Sequence, residues 1–388
     1  MKRINVILVF IFSIYLCLMS YYLYTHQYYN VDIEAYVGLV YKTEYPNMKM
    51  EDIHKKVYTE LEILNPKISA ISQNDEEVAI GENTYYNTLS KNPKAYEEEL
   101  QLFSVKPFYN FVNLMFFKLG FKVTTAISLT SILSYVLILV LIFTYLTRIL
   151  KNYPLAFIIT LIISLFKPLL EASRHASADS LSCLMLLLSF YTFVIRKNYL
   201  AATVFAMLCI LTRPEYFILF SFLYILVYFY KNAIRISTSR LFLSYGYLFL
   251  SFFLIQYFNQ ISWSTLFMNQ FTKVQIYPIS HPDAFYFPDY LNFLKKNVML
   301  DFNGSYFPLL LLFIVIILAN QFSLQSKKSW AQCMFFGAVY ASVFLRYLVF
   351  PSLANRMMIG FYLIIILALI YIQNSKTDIF KKTLEAGK

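Results

Sequence analysis

YYLYTHQYYNVDIEAY, residues Tyr21–Tyr36, begins as the end of an apolar run and finishes facing water. Asp32 and Glu34 are the first acids of the chain and lie about ten residues beyond that run. Read outward, the stretch makes residues from Ile4 to Tyr24 a membrane helix and everything after it a segment returned to solvent. Lys2 and Arg3 precede the run, which is too long for a signal-peptide core, and no small-x-small cleavage site follows. The expectation is a retained first span with a cytoplasmic N-terminus.

The composition agrees. Of 388 residues, 59% are hydrophobic, 19% aromatic and only 14% charged, against about 25% charged in an ordinary soluble domain. Many uncharged windows approach the about 20 residues that cross a bilayer. They are continuously apolar rather than alternating, which argues against a β-barrel. The fold class expected is an all-α polytopic membrane protein. The net charge of +11 is uneven: residues 25–104 hold 14 acids against 7 basic residues. The basic excess elsewhere reads as topology, since Lys and Arg stay on the cytoplasmic side, and not as a nucleic-acid surface. Cys17, Cys183, Cys209 and Cys333 fall in apolar windows and form neither a disulfide framework nor a metal cluster.

Charge pairs set the expected order. An acidic first loop with interfacial helices occupies 25–122. Lys106 and Lys118 bracket only 11 residues, with Phe108, Phe111, Val112, Met115 and Leu119 on one face. That suits a helix lying in the interface better than a span. Nine further spans follow: 123–147, 153–170, 180–195, 198–212, 216–230, 241–258, 306–321, 330–350 and 357–373. A second outer loop covers 259–305. Each inward turn then carries paired basic residues, such as Arg148/Lys151 and Arg196/Lys197. The reading is about ten spans in a single membrane domain with both termini cytoplasmic. No internal repeat points to a transporter of inverted halves.

On this topology the informative polar residues share the outer side. Asp32 and Tyr36, four apart, share a helix face, and Glu34 points away. Lys167, Glu171, Arg174, His175 and Asp179 cluster near the outer ends of two spans. Such charges usually face a cavity or a partner; a salt-bridged helix end is the plainer alternative. A His/Asp/Glu group near Asp32 suggests a divalent ion, although no ligand spacing is diagnostic. Arg213-Pro214-Glu215 joins two runs of only 15 uncharged residues. At 1.5 Å per residue these span about 22 Å of an about 30 Å core, so the turn is expected in a recess. A recessed arginine is suited to a phosphate; a local Arg213–Glu215 pair is the alternative. Lys106, Arg346 and Arg356 are further outer cations.

Taken together these pieces resemble the GT-C superfamily of integral-membrane glycosyltransferases, which includes protein O-mannosyltransferases and the aminoarabinose transferases of lipid A. The resemblance rests on Asp32 and Tyr36 after the first span, KPFY (Lys106–Tyr109), Asp179 in SADSL, and LTRPE ending at Glu215. The chain departs from the pattern in having Asp32-Ile33-Glu34 where many members have adjacent acids, and one proline after Lys106 where many have two.

The resemblance implies inverting sugar transfer in a cell envelope, from a polyprenyl-phosphate donor to a glycan, lipid or protein acceptor. Asp32, with Glu34 second, would be the catalytic carboxylate. Tyr36, Lys106, Arg174, His175, Asp179, Arg213, Glu215 and Arg356 would bind substrate. No cofactor is required by it beyond that candidate divalent ion. The partners expected are the lipid donor, the acceptor and membrane lipids, with no nucleic acid. Alternatives from other classes are a polysaccharide polymerase and a carrier of lipid-linked glycan or solute. A residue usage rich in Tyr, Phe, Ile, Asn and Lys points to a bacterial inner membrane.

Overall fold

The computed structural model describes residues 2–28, 32–64, 82–259, 261–272, 274–320 and 327–374. Its described residues fold into helices with no strand, apart from one isolated bridge between Tyr28 and His175. The first, α1 (Lys2–Thr25), is followed by α2 (Asp32–Glu44), α3 (Met50–Leu64), α4 (Glu82–Lys91), α5 (Pro93–Ser104) and α6 (Pro107–Lys118). Then come α7 (Val123–Leu150), α8 (Tyr153–Ser164), α9 (Lys167–Arg174), α10 (Asp179–Val194), α11 (Tyr199–Thr212) and α12 (Tyr216–Phe229). The rest are α13 (Lys231–Ile234), α14 (Thr238–Phe258), α15 (Trp263–Phe271), α16 (Phe287–Gly304), α17 (Phe307–Ala319), α18 (Lys327–Val349) and α19 (Ile359–Asn374).

Prolines decide several of these boundaries. A proline ring clashes with the carbonyl four residues earlier and offers no N–H to it. Pro154, Pro168 and Pro308 lie four residues after Leu150, Ser164 and Gly304, the last residues of α7, α8 and α16. The freed carbonyls need other donors in an apolar setting. Tyr135 Oη supplies one to Ser164 O at 3.0 Å, and Asn355 Nδ2 one to Gly304 O at 3.2 Å.

Four helices, α1, α7, α14 and the Ser329–Val349 part of α18, are long and apolar enough to cross a membrane. Two bent pairs, α8 with α9 and α16 with α17, each turn by 61° and raise the number to six if each is one span. The expected uninterrupted run 153–170 is therefore broken, and Pro168 is the reason. The expected span 306–321 is the 13-residue α17, bent against a helix within the second loop. α10, α11, α12 and α19 are shorter apolar helices.

Packing sorts these helices. α10 and α19 are buried along almost their whole length, and α10 packs against α7, α11 and α19. Small residues let α10 and α11 approach: Cys209 Sγ reaches Ser182 O at 3.4 Å, and Ser189 Oγ donates to Ala202 O at 2.8 Å. α1 is peripheral, with 11% of its apolar window buried against 67% for α7. Val6, Phe10, Leu18, Phe242, Leu243, Phe253, Leu312 and Val315 stand exposed on α1, α14 and α17. In water that surface would be costly; against lipid tails it costs nothing. The fold is that of a multi-pass helical membrane protein.

The two long connections meet. Glu98 on α5 accepts from the backbone N–H groups of Ile279 and Ser280 at 2.9 and 3.1 Å, and Asn92 Nδ2 donates to Tyr277 Oη at 2.7 Å. The second connection is pinned to the end of α18 by Trp263 Nε1 to Val349 O and Tyr290 Oη to Leu348 O, both 2.7 Å. In α6 the polar side is the one packed inward. Tyr109 and Asn113 are buried, Asn113 accepting from Thr130 at 2.7 Å, while Phe111, Met115 and Leu119 are exposed.

Candidate functional site

Seven helix ends converge. α2 brings Asp32 in its first turn and Tyr36 one turn on. Pro107 at the first position of α6 leaves Lys106 just outside the helix, where its side chain is free to turn inward. α10 opens with Asp179. Arg213 ends α11 and Glu215 precedes α12. Arg346 lies in the last turn of α18, and Arg356 in the turn before α19.

Ion pairs link them. Arg213 Nη1 pairs with Asp179 Oδ1, while Arg213 Nε and Nη2 reach Glu215 Oε1 at 2.8 and 2.7 Å. Arg346 Nη2 lies 3.5 Å from the same Glu215 oxygen, and its Nη1 donates to Ser352 O at 2.7 Å. Ser177 Oγ donates to Asp179 Oδ2 at 3.0 Å. Arg356 stands between two carboxylates, 3.6 Å from Asp32 Oδ2 and 3.5 Å from Asp179 Oδ2. Both separations exceed hydrogen-bond length, and Arg356 Nη1 has no hydrogen-bond partner among the described residues. Lys106 Nζ donates to Tyr36 Oη at 2.6 Å and lies over the Tyr36 and Phe103 rings. The cluster thus joins three carboxylates to four cations.

Exposure separates their roles. Arg213 and Asp179 side chains are 7% and 3% exposed, whereas Asp32 and Arg356 are 27% and 22% exposed. Asp32 and Arg356 form the open side of the cluster. Arg213, expected to present free donors to a phosphate, instead spends its fork on two carboxylates. Arg346 Nε and Arg356 Nη1 both lack a partner among the described residues, and of the two arginines Arg356 is the one on the open side.

Burial pushes the Lys106 ammonium down to about 8, helped by the Arg213 charge and opposed by Asp32, Asp179 and Glu215. Lys106 is protonated below that pH and neutral above it. Any anion it holds is then held less well as pH rises through about 8. We expect a basic limb there in the pH profile of ligand binding, which Lys106→Arg moves out of range because arginine stays charged. An unchanged limb in Lys106→Arg would assign it to another group.

Glu34 faces away from this cluster. It is buried among α2, α3 and α5, where Tyr58 Oη donates to its Oε2 at 2.8 Å and Tyr96 Oη donates to its backbone carbonyl at 2.6 Å. A side chain at Gly38, one turn along, would collide with that Tyr96 hydroxyl. Glu99 is buried nearby, and burial and the Glu34 charge raise its carboxyl as well. Burial pushes Glu34 up to about 7, against the Tyr58 hydrogen bond and with the Asp32 charge adding. A carboxyl raised from 4.5 to about 7 holds its proton more tightly folded than unfolded. Its contribution is complete at low pH and is lost as pH rises through that window. Glu34→Gln should therefore raise thermal stability above pH 7, by up to about 3 kcal/mol, and leave it unchanged below pH 4. A variant less stable than the parent at pH 8 would refute this.

Arg174 is also elsewhere. Its guanidinium stacks 3.7 Å over the Tyr28 ring and its Nε donates to His26 O at 2.5 Å. It fastens the chain leaving α1. His175 holds Glu171 O through Nδ1 at 2.8 Å and sits at the cluster's edge. Burial lowers its pKa, with the Arg356 charge adding and Asp179 and Asp32 opposing. Among the described residues no group of three or more His, Cys, Asp or Glu is arranged to hold a metal ion. The donor set does not fit the divalent ion suggested by the sequence. Ser177, bonded to Asp179, and Tyr109, its ring 4.8 Å from that of Tyr36, reach this region without a local sequence signal, whereas Arg346 is the outer cation the sequence marks.

The fold and site define a multi-pass helical membrane protein with a buried ion-pair cluster at one end of its helices. Comparison with protein-family models, curated proteins and solved structures finds no match to the chain.

Proposed function

We propose that the chain is a GT-C-type glycosyltransferase of a bacterial inner membrane, with about ten spans and both termini cytoplasmic. It would move a sugar from a polyprenyl-phosphate donor to a glycan, lipid or protein acceptor outside the cytoplasm. The observation that carries this reading is the half-open Asp32 beside Arg356 and Lys106. A carboxylate able to take a proton stands next to cations able to receive a phosphate.

In the reaction, Asp32 accepts the proton of an acceptor hydroxyl or amine. The acceptor atom attacks the anomeric carbon from the face opposite the phosphate, inverting it. The bond from that carbon to the phosphate oxygen breaks, and its electron pair leaves on polyprenyl phosphate. Arg356 and Lys106 stabilise the growing negative charge. Tyr36 orients the Lys106 ammonium. Arg213 and Arg346 act one layer behind, fixing Asp179 and Glu215. Glu34 and Arg174 hold the surrounding chain and are not assigned to substrate.

The decisive experiment is mass spectrometry of glycolipids and glycans from cells with and without the gene, followed by transfer with purified protein in detergent. Loss of one sugar from one acceptor, restored by the purified protein, is expected. Identical profiles would end the proposal. The topology is checked by impermeant thiol labelling: a cysteine at 285 should react from outside and one at 235 should not.

A carrier is the second reading, because broken helices are its signature and two bent pairs are present. Their breaks meet each other at the charged end, Phe166 ring against Tyr306 ring at 4.9 Å. A carrier makes no glycosidic bond, so transfer in detergent separates the two.

A further inference from the structure

A cavity lies at the other end of the same helices. α10 runs from Asp179 at the ion-pair cluster to Val194 at this cavity, about 22 Å at 1.5 Å per residue. Its volume is about 720 Å³, within the about 300–1,000 Å³ of small-molecule sites. α10, α11, α12 and α14 wall it, with Phe335 and Ile364 behind.

Its interior is apolar. Thr203 Oγ1 bonds with Tyr224 Oη at 2.8 Å, Tyr199 Oη with Ile234 O at 3.3 Å and Ser189 Oγ with Ala202 O at 2.8 Å. Lys197, Arg235 and Arg240 line it as well, and no carboxylate does. Lys197 and Arg235 have φ of 53° and 62°, the left-handed region where a side chain is disfavoured and glycine is the usual choice. Lys151, at the end of α7 and outside the cavity, has the same backbone, so it is the position of Lys197 and Arg235 on the cavity wall that matters. Leu200 and Leu243, 76% and 60% exposed, stand on its lipid-facing wall, so a hydrocarbon chain has a sideways entry.

We propose that this cavity binds an anionic phospholipid, its phosphate between Lys197, Arg235 and Arg240 and one acyl chain between Phe190 and Leu223. The charges are complementary and the interior suits a tail rather than a free anion. The site stands independently of the sugar-transfer reading.

The test is native mass spectrometry of the full-length protein, exchanged in detergent with equimolar phosphatidylglycerol and phosphatidylcholine. Phosphatidylglycerol should be retained preferentially. Each surface cation is worth roughly fivefold, so replacing Arg235 and Arg240 together by Ala should cut the preference roughly 25-fold. The Arg235→Lys, Arg240→Lys pair should keep most of it and shows that the fold tolerates change there. Leu223→Trp, which narrows the place assigned to the acyl chain and spares the cations, should lower retention of phosphatidylglycerol. Equal retention of both lipids by the parent protein overturns the proposal. So does an undiminished preference in the Ala pair, or thermal protection by millimolar inorganic phosphate equal to that by phosphatidylglycerol.

Discussion

Asp32→Asn is expected to lower sugar transfer by about 10²–10⁴-fold, the usual cost of losing a general base. Asparagine keeps the size of the side chain and much of its hydrogen bonding, and removes only proton acceptance. Asp32 lies on the open side of the cluster, with its carboxylate 27% exposed and 3.6 Å from Arg356. The thermal midpoint should therefore move little. The decisive pair of measurements is turnover on the natural acceptor and a melting curve on the same preparation. Wild-type turnover in a folded Asp32→Asn protein would remove Asp32 from the chemistry. Glu34 would not replace it, because it faces Tyr58 and Tyr96 inside the acidic first segment.

The second large effect concerns stability. Arg213 satisfies Asp179 and Glu215 together. Truncating it leaves the Asp179 carboxylate, 3% exposed, with the Ser177 hydroxyl on one oxygen and the more distant Arg356 as its remaining ion-pair partner. Removing one partner of a buried ion pair typically costs about 3–5 kcal/mol. Arg213→Ala should thus lower expression and thermal stability sharply, whatever the ligand. Arg356→Ala should behave in the opposite way, remaining folded but losing affinity for polyprenyl phosphate, because its guanidinium is half-open and has spare donors. Thermal midpoints and lipid-phosphate binding of the two variants decide the matter. A stable Arg213→Ala that fails to bind, beside an Arg356→Ala that binds normally, would exchange the two roles.

Much of the helical architecture could be read from the chain. Pro154, Pro168 and Pro308 end α7, α8 and α16, because a ring placed four residues after a carbonyl cannot be accommodated by an ordinary helix, and apolar length alone carries the expected span 153–170 past that signal. Asp179, Arg213 and Glu215 were recognisable because charges at the ends of apolar runs have few places to go. What could not be read was how donors are shared. Whether Arg213 keeps a free fork depends on Asp179, 34 residues away, and on Arg346, beyond Glu215 by 131 residues. Glu34 looked like a companion of Asp32 until helices 24 and 62 residues later supplied Tyr58 and Tyr96. The span count is blurred for a related reason: α10, α11, α12 and α19 are short helices whose apolar lengths alone do not decide whether each crosses.

The bond from Glu98 to Ile279 bears on how the protein is made. Its partners are 181 residues apart in the chain. At about 5–20 residues per second, synthesis of that interval takes on the order of 10–40 s. Throughout that wait the acidic first segment has emerged but lacks the backbone N–H groups that donate to Glu98. Its docking belongs to the last stages of biogenesis, after α14 has been inserted. A ribosome stalled before residue 259 would leave that segment open to proteases.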